Sequence, residues 1–98
     1  MAGPVYGLWL ARRKEAYYQL SQEEQTALMT KRNENLAQVG GKDFPGYLAY
    51  SAPWEMFGMV EYPSAEAQRE HEIFCDSIGW KRYFEMMIVC GVAAPDAQ

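Results

Sequence analysis

The sequence predicts an α+β protein with the ferredoxin-like element order βαββαβ, and three observations lead to that prediction. Four short segments are rich in apolar and β-forming residues and are bounded by turn residues: residues 4–11, 47–52, 55–62 and 86–92. Two longer segments with an apolar stripe at helical spacing separate the first strand from the second and the third from the fourth. Both helical segments begin near a serine and end at a glycine. This order is the ferredoxin-like split βαβ plan.

The first half of the chain contains strand one, "PVYGLWLA", and helix one. The connection "RRKEAYYQL" between them predicts a loop with a short helical turn. Ser21 and Glu24 have the spacing of a capping box, in which the hydroxyl accepts a hydrogen bond from a free amide and Glu24 reaches back. Helix one is expected to run to about Val39, where Gly40 and Gly41 supply a left-handed stop.

The second half begins with a predicted loop, "KDFPG", and strand two, "YLAYSA". Pro53 interrupts the apolar pattern, and strand three, "EMFGMVEY", ends at Pro63 because proline cannot donate to a sheet. Ser64 is expected to cap helix two, which runs to about Ser77 and ends at Gly79. "WKRYF" predicts a short turn before strand four, "MMIVCGV".

Length and charge limit the classes of function. Ninety-eight residues predict a single domain over residues 1–98. A net charge of −4 argues against a nucleic-acid partner, which needs a basic face. No stretch approaches the roughly 20 apolar residues of a membrane span, so no membrane partner is expected. The apolar segment 1–11 lacks a basic leader region, and two widely spaced cysteines favour a reducing, cytoplasmic setting.

Both faces of the predicted sheet are apolar. Strand one places Val5, Gly7, Trp9 and Ala11 on one face and Tyr6, Leu8 and Leu10 on the other. Two helices cover one face only, and the simplest cover for the other is the same sheet from a second copy. The sequence therefore predicts a homodimer packed sheet to sheet.

The single histidine, His71, lies in the apolar stripe of helix two with Ala67, Phe74 and Ile78. One interpretation is a core histidine that burial keeps neutral and a backbone carbonyl satisfies. The other is a general base or hydrogen-bonding group at the wall of a pocket between helices and sheet, since an imidazole titrates near working pH. Both interpretations remain open from the sequence.

Arg32 is a second polar residue in an apolar stripe, between Leu28 and Leu36 on helix one. Its stem can pack while the guanidinium reaches water, or the guanidinium can anchor an anionic or carbonyl-bearing ligand. Aromatic residues on the strands and turns are candidates for a cavity wall, and a tyrosine hydroxyl can stabilise an oxyanion. The predicted catalytic residues are His71 and Tyr83, and the predicted substrate-binding residues are Trp9, Arg32, Tyr50, Phe74 and Trp80.

Other chemistries find less support in the sequence. One histidine and two distant cysteines do not make a metal site, so no metal or other cofactor is predicted. A nucleophilic pair of Cys75 with His71 is not expected, because neighbouring helix positions diverge by about 100° per residue. Glu61 and Glu85 are the carboxylates considered for the pocket, and the others are expected on solvated helix faces.

The stretch "MVEYPSAEAQREHEIFCDSIGWKRYFE" resembles the strand, helix and turn of the dimeric α+β-barrel superfamily, whose best-known branch is the antibiotic-biosynthesis monooxygenases. Its pattern is W-x-S-x-E-A-x-x-x-H, which Ser64, Glu66, Ala67 and His71 match, while Tyr62 replaces the tryptophan. "LWLARRKEAYYQLSQEEQ" is similar to small uncharacterised bacterial members. The resemblance implies a dimeric α+β barrel with a helix-two histidine at the reacting site.

Function remains open between classes on this scaffold. The first hypothesis is a small cofactor-independent oxygenase, cyclase or isomerase acting on an aromatic or polyketide-like molecule of natural product biosynthesis, with His71 as acid–base group. The second is a non-catalytic, small-molecule-binding or stress-associated dimer. The third and weakest is a haem-binding relative, and strand one lacks the asparagine that the haem-degrading branch carries.

Overall fold

A computed structural model describes residues 3–95; the start of the segment considered as a leader and the last three residues lie outside this range. An antiparallel sheet of five strands packs one face against the helices, in the order β2-β4-β1-β5 with β3 also paired to β4. The elements are β1 (Val5–Arg13), α1 (Glu15–Tyr18), α2 (Gln22–Gln38), β2 (Lys42–Asp43), β3 (Tyr47–Leu48), β4 (Met56–Tyr62), α3 (Ala65–Ser77), α4 (Trp80–Tyr83) and β5 (Phe84–Gly91). The predicted ferredoxin-like fold is confirmed.

The second predicted strand is the one that differs. The sequence "YLAYSA" forms only the two-residue strand β3, and the predicted loop "KDFPG" begins with the equally short β2. Pro45 lies between the two, and Pro53 follows β3 in the irregular segment before β4. Because a proline nitrogen carries no hydrogen, neither residue can donate to the ladder along β4. The predicted strand is therefore shortened to two residues, and a second short strand forms within the predicted loop before it.

The helix caps fold as the sequence predicts. Ser21 and Glu24 form both hydrogen bonds of a capping box at the start of α2. At its end Gly40, with φ of 82°, and Gly41 close a Schellman motif by donating to the carbonyls of Ala37 and Leu36. Helix α3 starts at Ser64 and ends before Gly79, whose φ is 76°. The two caps fix where α2 and α3 lie on the sheet.

The core lies between the helices and the inner face of the sheet. Its buried cluster joins Leu36 of α2, Val60 and Tyr62 of β4, and Ala67 of α3. Trp9 of β1 is paired with Gly58 of β4, and its indole covers that glycine so closely that a Cβ there would lie 2.6 Å from a ring carbon. This close approach holds the indole flat along the sheet.

The outer face of the sheet is apolar and uncovered within this chain. Leu8, Met87 and Val89 are 41%, 51% and 58% exposed there. These residues alternate with the inward-facing ones, as the strand pattern predicts. Among residues 3–95 no helix has the length and apolar character needed to cross a membrane.

Candidate functional site

A cavity of about 420 Å³ lies between the sheet and helices α2 and α3. Alternate residues of three strands form its floor: Gly7, Trp9 and Ala11 of β1, Met56, Val60 and Tyr62 of β4, and Met86 and Ile88 of β5. Met29 and Arg32 of α2 and His71 and Cys75 of α3 close it from above. Six aromatic side chains and three methionines are among the lining residues, which suits an apolar, planar ligand.

His71 is the buried polar residue at the centre of this wall, with 5% of its surface exposed. The ring sits one helical turn after Ala67, on the face of α3 that meets the sheet. Its Nδ1 lies 2.8 Å from the side-chain oxygen of Asn35 on α2, and its Nε2 lies 3.5 Å from Cys75 Sγ. The expected backbone carbonyl partner is replaced by this amide oxygen.

The partner at Nδ1 determines the tautomer of the ring. An amide oxygen only accepts hydrogen bonds, so His71 Nδ1 donates to Asn35 and carries the hydrogen of the neutral ring. The lone pair is then on Nε2. Burial, and after it the charge of Arg32, lower the pKa of His71 to about 4, with Asp43 opposing the shift. The imidazole is therefore neutral at pH 7 and accepts at Nε2.

The contact between Cys75 and His71 corrects the expectation that these side chains diverge. Residues four apart on a helix share a face, because four steps of about 100° make one full turn plus only about 40°. Burial raises the pKa of the Cys75 thiol to about 11, so the sulfur keeps its proton and acts as a weak donor toward Nε2. The two side chains are therefore close together, but the sulfur of Cys75 is a protonated thiol and not a nucleophilic thiolate.

Arg32 lines the cavity and is held by Asp43 at the end of β2. Its two terminal nitrogens lie 2.6 and 3.1 Å from the two carboxylate oxygens, a bidentate pair. Its side chain is 15% exposed, so the guanidinium does not simply reach into water. This ion pair links α2 to the edge strand β2, and its positive and negative charges both lie near His71.

The remaining predicted site residues divide into two groups. Trp9 and Trp80 line the cavity, and Trp80 stacks on Phe84 with ring centroids 4.4 Å apart. Tyr50 does not line it, because its side chain is fully exposed in the irregular segment after β3. Phe74 and Tyr83 are half-buried but lie outside the wall.

The carboxylates also differ from expectation. Glu61 is opposite Tyr6 on the outer face of the sheet, and Glu85 on that face is paired with Arg12. Strand alternation puts both on the side away from the helices. The carboxylates that line the cavity are instead Asp43, Glu72 and Asp76.

Two functional candidates, Tyr62 and Asn35, were not predicted from the sequence. Tyr62 lines the cavity with its ring centroid 6.1 Å from that of His71, and burial raises its pKa to about 12. It stands where the superfamily pattern has tryptophan, which was the available signal. Asn35 continues the stripe of Leu28, Arg32 and Val39 at helical spacing.

Within residues 3–95 no three histidine, cysteine, aspartate or glutamate side chains come together as a metal site. No protein-family profile matches the sequence, and no curated protein matches it. The comparisons that do find matches are those with solved structures.

Two of the matched structures are small proteins covered over most of their length. A protein of unknown function from Rhodopseudomonas palustris is 19% identical, with a TM-score of 0.63 over 96% of this chain and 86% of that one. A dabb family protein with a ferredoxin-like fold from Mesorhizobium loti is 14% identical, with a TM-score of 0.63 over 94% and 98%.

A mutant chlorite dismutase from Candidatus Nitrospira defluvii is 13% identical, with a TM-score of 0.73 over 99% of this chain and 43% of that one. The chain therefore spans less than half the length of this larger protein. Identities this low show the fold alone. The comparisons establish a ferredoxin-like fold.

Proposed function

We propose that this protein is a small enzyme that acts without a cofactor on an aromatic or polyketide-like molecule with an acidic hydroxyl. One observation carries the proposal: the buried, neutral His71 lines an apolar cavity of about 420 Å³, and the contact of its unprotonated Nε2 is the weak thiol donor of Cys75 at 3.5 Å, which a substrate hydroxyl could replace. A proton acceptor beside an aromatic-lined binding space is what deprotonation of a bound phenol or enol requires. The proposed chemistry is compatible with the monooxygenase-like branch that the resemblance names.

His71 would take the hydroxyl proton of the substrate at Nε2. The resulting phenolate or enolate is electron-rich and can react directly with oxygen, cyclise or isomerise. Tyr62 is proposed, in place of Tyr83, to donate a hydrogen bond to the developing oxyanion, because its side chain lines the cavity and its raised pKa keeps the hydroxyl protonated. Trp9 and Trp80 would hold the planar body of the substrate.

The test is a screen of quinols and phenols with oxygen uptake and absorbance as readouts. His71→Asn should lower turnover of any substrate found by about 10²-fold or more, the usual size of general acid–base catalysis. The matched control is Glu70→Gln, an exposed neighbour on α3 that does not line the cavity. Full turnover in His71→Asn would remove the proposed role.

A second candidate function is binding without turnover, and the low pKa of His71 favours it. A ring with a pKa of about 4 is a good hydrogen-bond acceptor but a weak base toward an ordinary phenol, whose pKa is near 10. The same screen separates the two functions. Compounds that raise the melting temperature without consuming oxygen or changing absorbance support a binding protein.

A haem iron would compete with a substrate hydroxyl for the same atom, Nε2 of His71, because Nδ1 is engaged by Asn35. No step of the proposed chemistry uses haem.

We also propose that the protein is a homodimer through the outer face of the sheet. Leu8, Phe57, Met59, Met87 and Val89 are exposed there. They lie on adjacent strands β4, β1 and β5, so they form one continuous apolar surface. The same surface of a second copy would cover it with equally apolar side chains. Light scattering of the purified protein tests this directly, and a monomer would contradict it.

A further inference from the structure

Asn35 occupies a position behind the wall of the cavity rather than on it. It lies on α2, is half-buried and does not line the cavity, yet its oxygen is 2.8 Å from His71 Nδ1. An isolated neutral imidazole can carry its hydrogen on either nitrogen, and the hydrogen-bond partner decides which. Asn35 thus acts on the cavity through the ring of His71.

We infer that Asn35 is a positioning residue, which locks His71 as a hydrogen-bond acceptor at Nε2, where a ligand hydroxyl would replace the weak Cys75 thiol contact, so that the cavity takes neutral hydroxyl donors such as phenols and not anions. This inference rests on the proposed function and names the ligand class of the same site. Nε2 can accept from a neutral O–H, whereas a carboxylate placed there would put an acceptor against an acceptor.

The charges around the cavity support the same ligand class independently. Its cations each have a carboxylate partner: Arg32 with Asp43 at 2.6 Å, Arg13 with Glu55 at 3.5 Å and Lys81 with Asp76 at 3.5 Å. An anionic ligand would have to share a cation with the carboxylate already paired to it. It would also approach Glu72, which lines the cavity as well. A neutral ligand leaves every pair intact.

The first part of the test is the tautomer of His71, read from the ¹⁵N and ¹H resonances of the only imidazole in the chain. The wild type is expected to show a protonated Nδ1 and an unprotonated Nε2. Asn35→Leu should move the hydrogen to Nε2 in most molecules, and Asn35→Asp, which keeps an oxygen acceptor, should restore it to Nδ1. The control is Gln38→Leu, an exposed residue on the same helix.

The second part compares p-cresol with 4-methylanisole, which has the same ring but no hydroxyl hydrogen. p-Cresol should bind the wild type roughly tenfold more tightly, as expected for one well-placed hydrogen bond, and Asn35→Leu should lose that preference. Equal or undetectable binding of both compounds overturns the ligand class. A wild-type ring protonated at Nε2, or an unchanged tautomer in Asn35→Leu, overturns the role of Asn35.

These outcomes are distinct from failure of the proposed enzyme function. Turnover is tested by oxygen uptake and by His71→Asn, and neither readout reports the tautomer. A correct tautomer and a preference for p-cresol without turnover on any quinol would support this inference while contradicting catalysis.

Discussion

The buried imidazole of His71 should make the protein sensitive to mild acid. Its pKa is lowered from 6.5 to about 4 in the folded chain. Between these values the unfolded chain binds a proton that the folded chain does not, so the free energy of unfolding falls as the pH falls from 6.5 to 4. Above pH 6.5 both states hold a neutral ring and the effect vanishes.

The size of the effect follows from the same two pKa values. At about 1.4 kcal/mol for each pH unit, the difference corresponds to about 3 kcal/mol of stability lost by pH 4. That is a large share of the roughly 5–15 kcal/mol that stabilises a typical domain. Because only 5% of the His71 surface is exposed, solvent screening reduces this loss of stability only slightly.

Urea unfolding at pH 7.5, 5.5 and 4.5 measures the effect, with His71→Gln as the comparison. Carboxylates contribute to the acid response of both proteins and cancel in the difference. The wild type should lose about 2–3 kcal/mol more than His71→Gln between the highest and lowest pH. Parallel curves for the two proteins would refute the assignment of His71 as a buried, neutral group.

Three further changes test other parts of the structure. Gly58→Ala should lower the free energy of unfolding by about 1–3 kcal/mol and change tryptophan fluorescence, because the methyl group meets the Trp9 indole; an unchanged urea midpoint would show that the indole moves freely. Ser64→Ala should cost about 1 kcal/mol in the same assay through loss of the hydrogen bond from the Ala67 amide at 3.1 Å, and a cost near zero would argue against the cap. Met87→Lys should convert the proposed dimer to monomer in light scattering, since it buries a charge in the sheet interface, and an unaltered mass would place the interface elsewhere.

The fold could be predicted from the sequence because its signals are local. The capping box at Ser21 and the glycines at 40 and 79 depend on residues within one helical turn, and all of them form as predicted. The prediction of the second strand failed because it relied on the strand propensity of "YLAY". Pro45 and Pro53 flank this segment and have no amide hydrogen to donate to a neighbouring strand. Pairing with β4, which is a tertiary property, decides how much of the segment forms a strand.

The site was only partly predictable, because some of its features follow from local periodicity and others from tertiary contacts. The inward direction of Trp9 and His71 follows from strand and helix periodicity, and both line the cavity. Tyr50 has the composition of a wall residue, but its position after the broken strand leaves it exposed. The partner of His71 is a side chain 36 positions away along the chain, and no local pattern joins Asn35 to it.

The central claim is that His71 faces a ligand across the helix–sheet cavity. The most direct measurement is the ¹H and ¹⁵N spectrum of its ring at pH 7 while a panel of phenols and quinols is added, with the Trp9 indole N–H followed as a second wall residue. We predict that a compound that raises the melting temperature shifts the His71 ring and the Trp9 signal together. Stabilising compounds that leave the His71 ring unshifted would contradict the account.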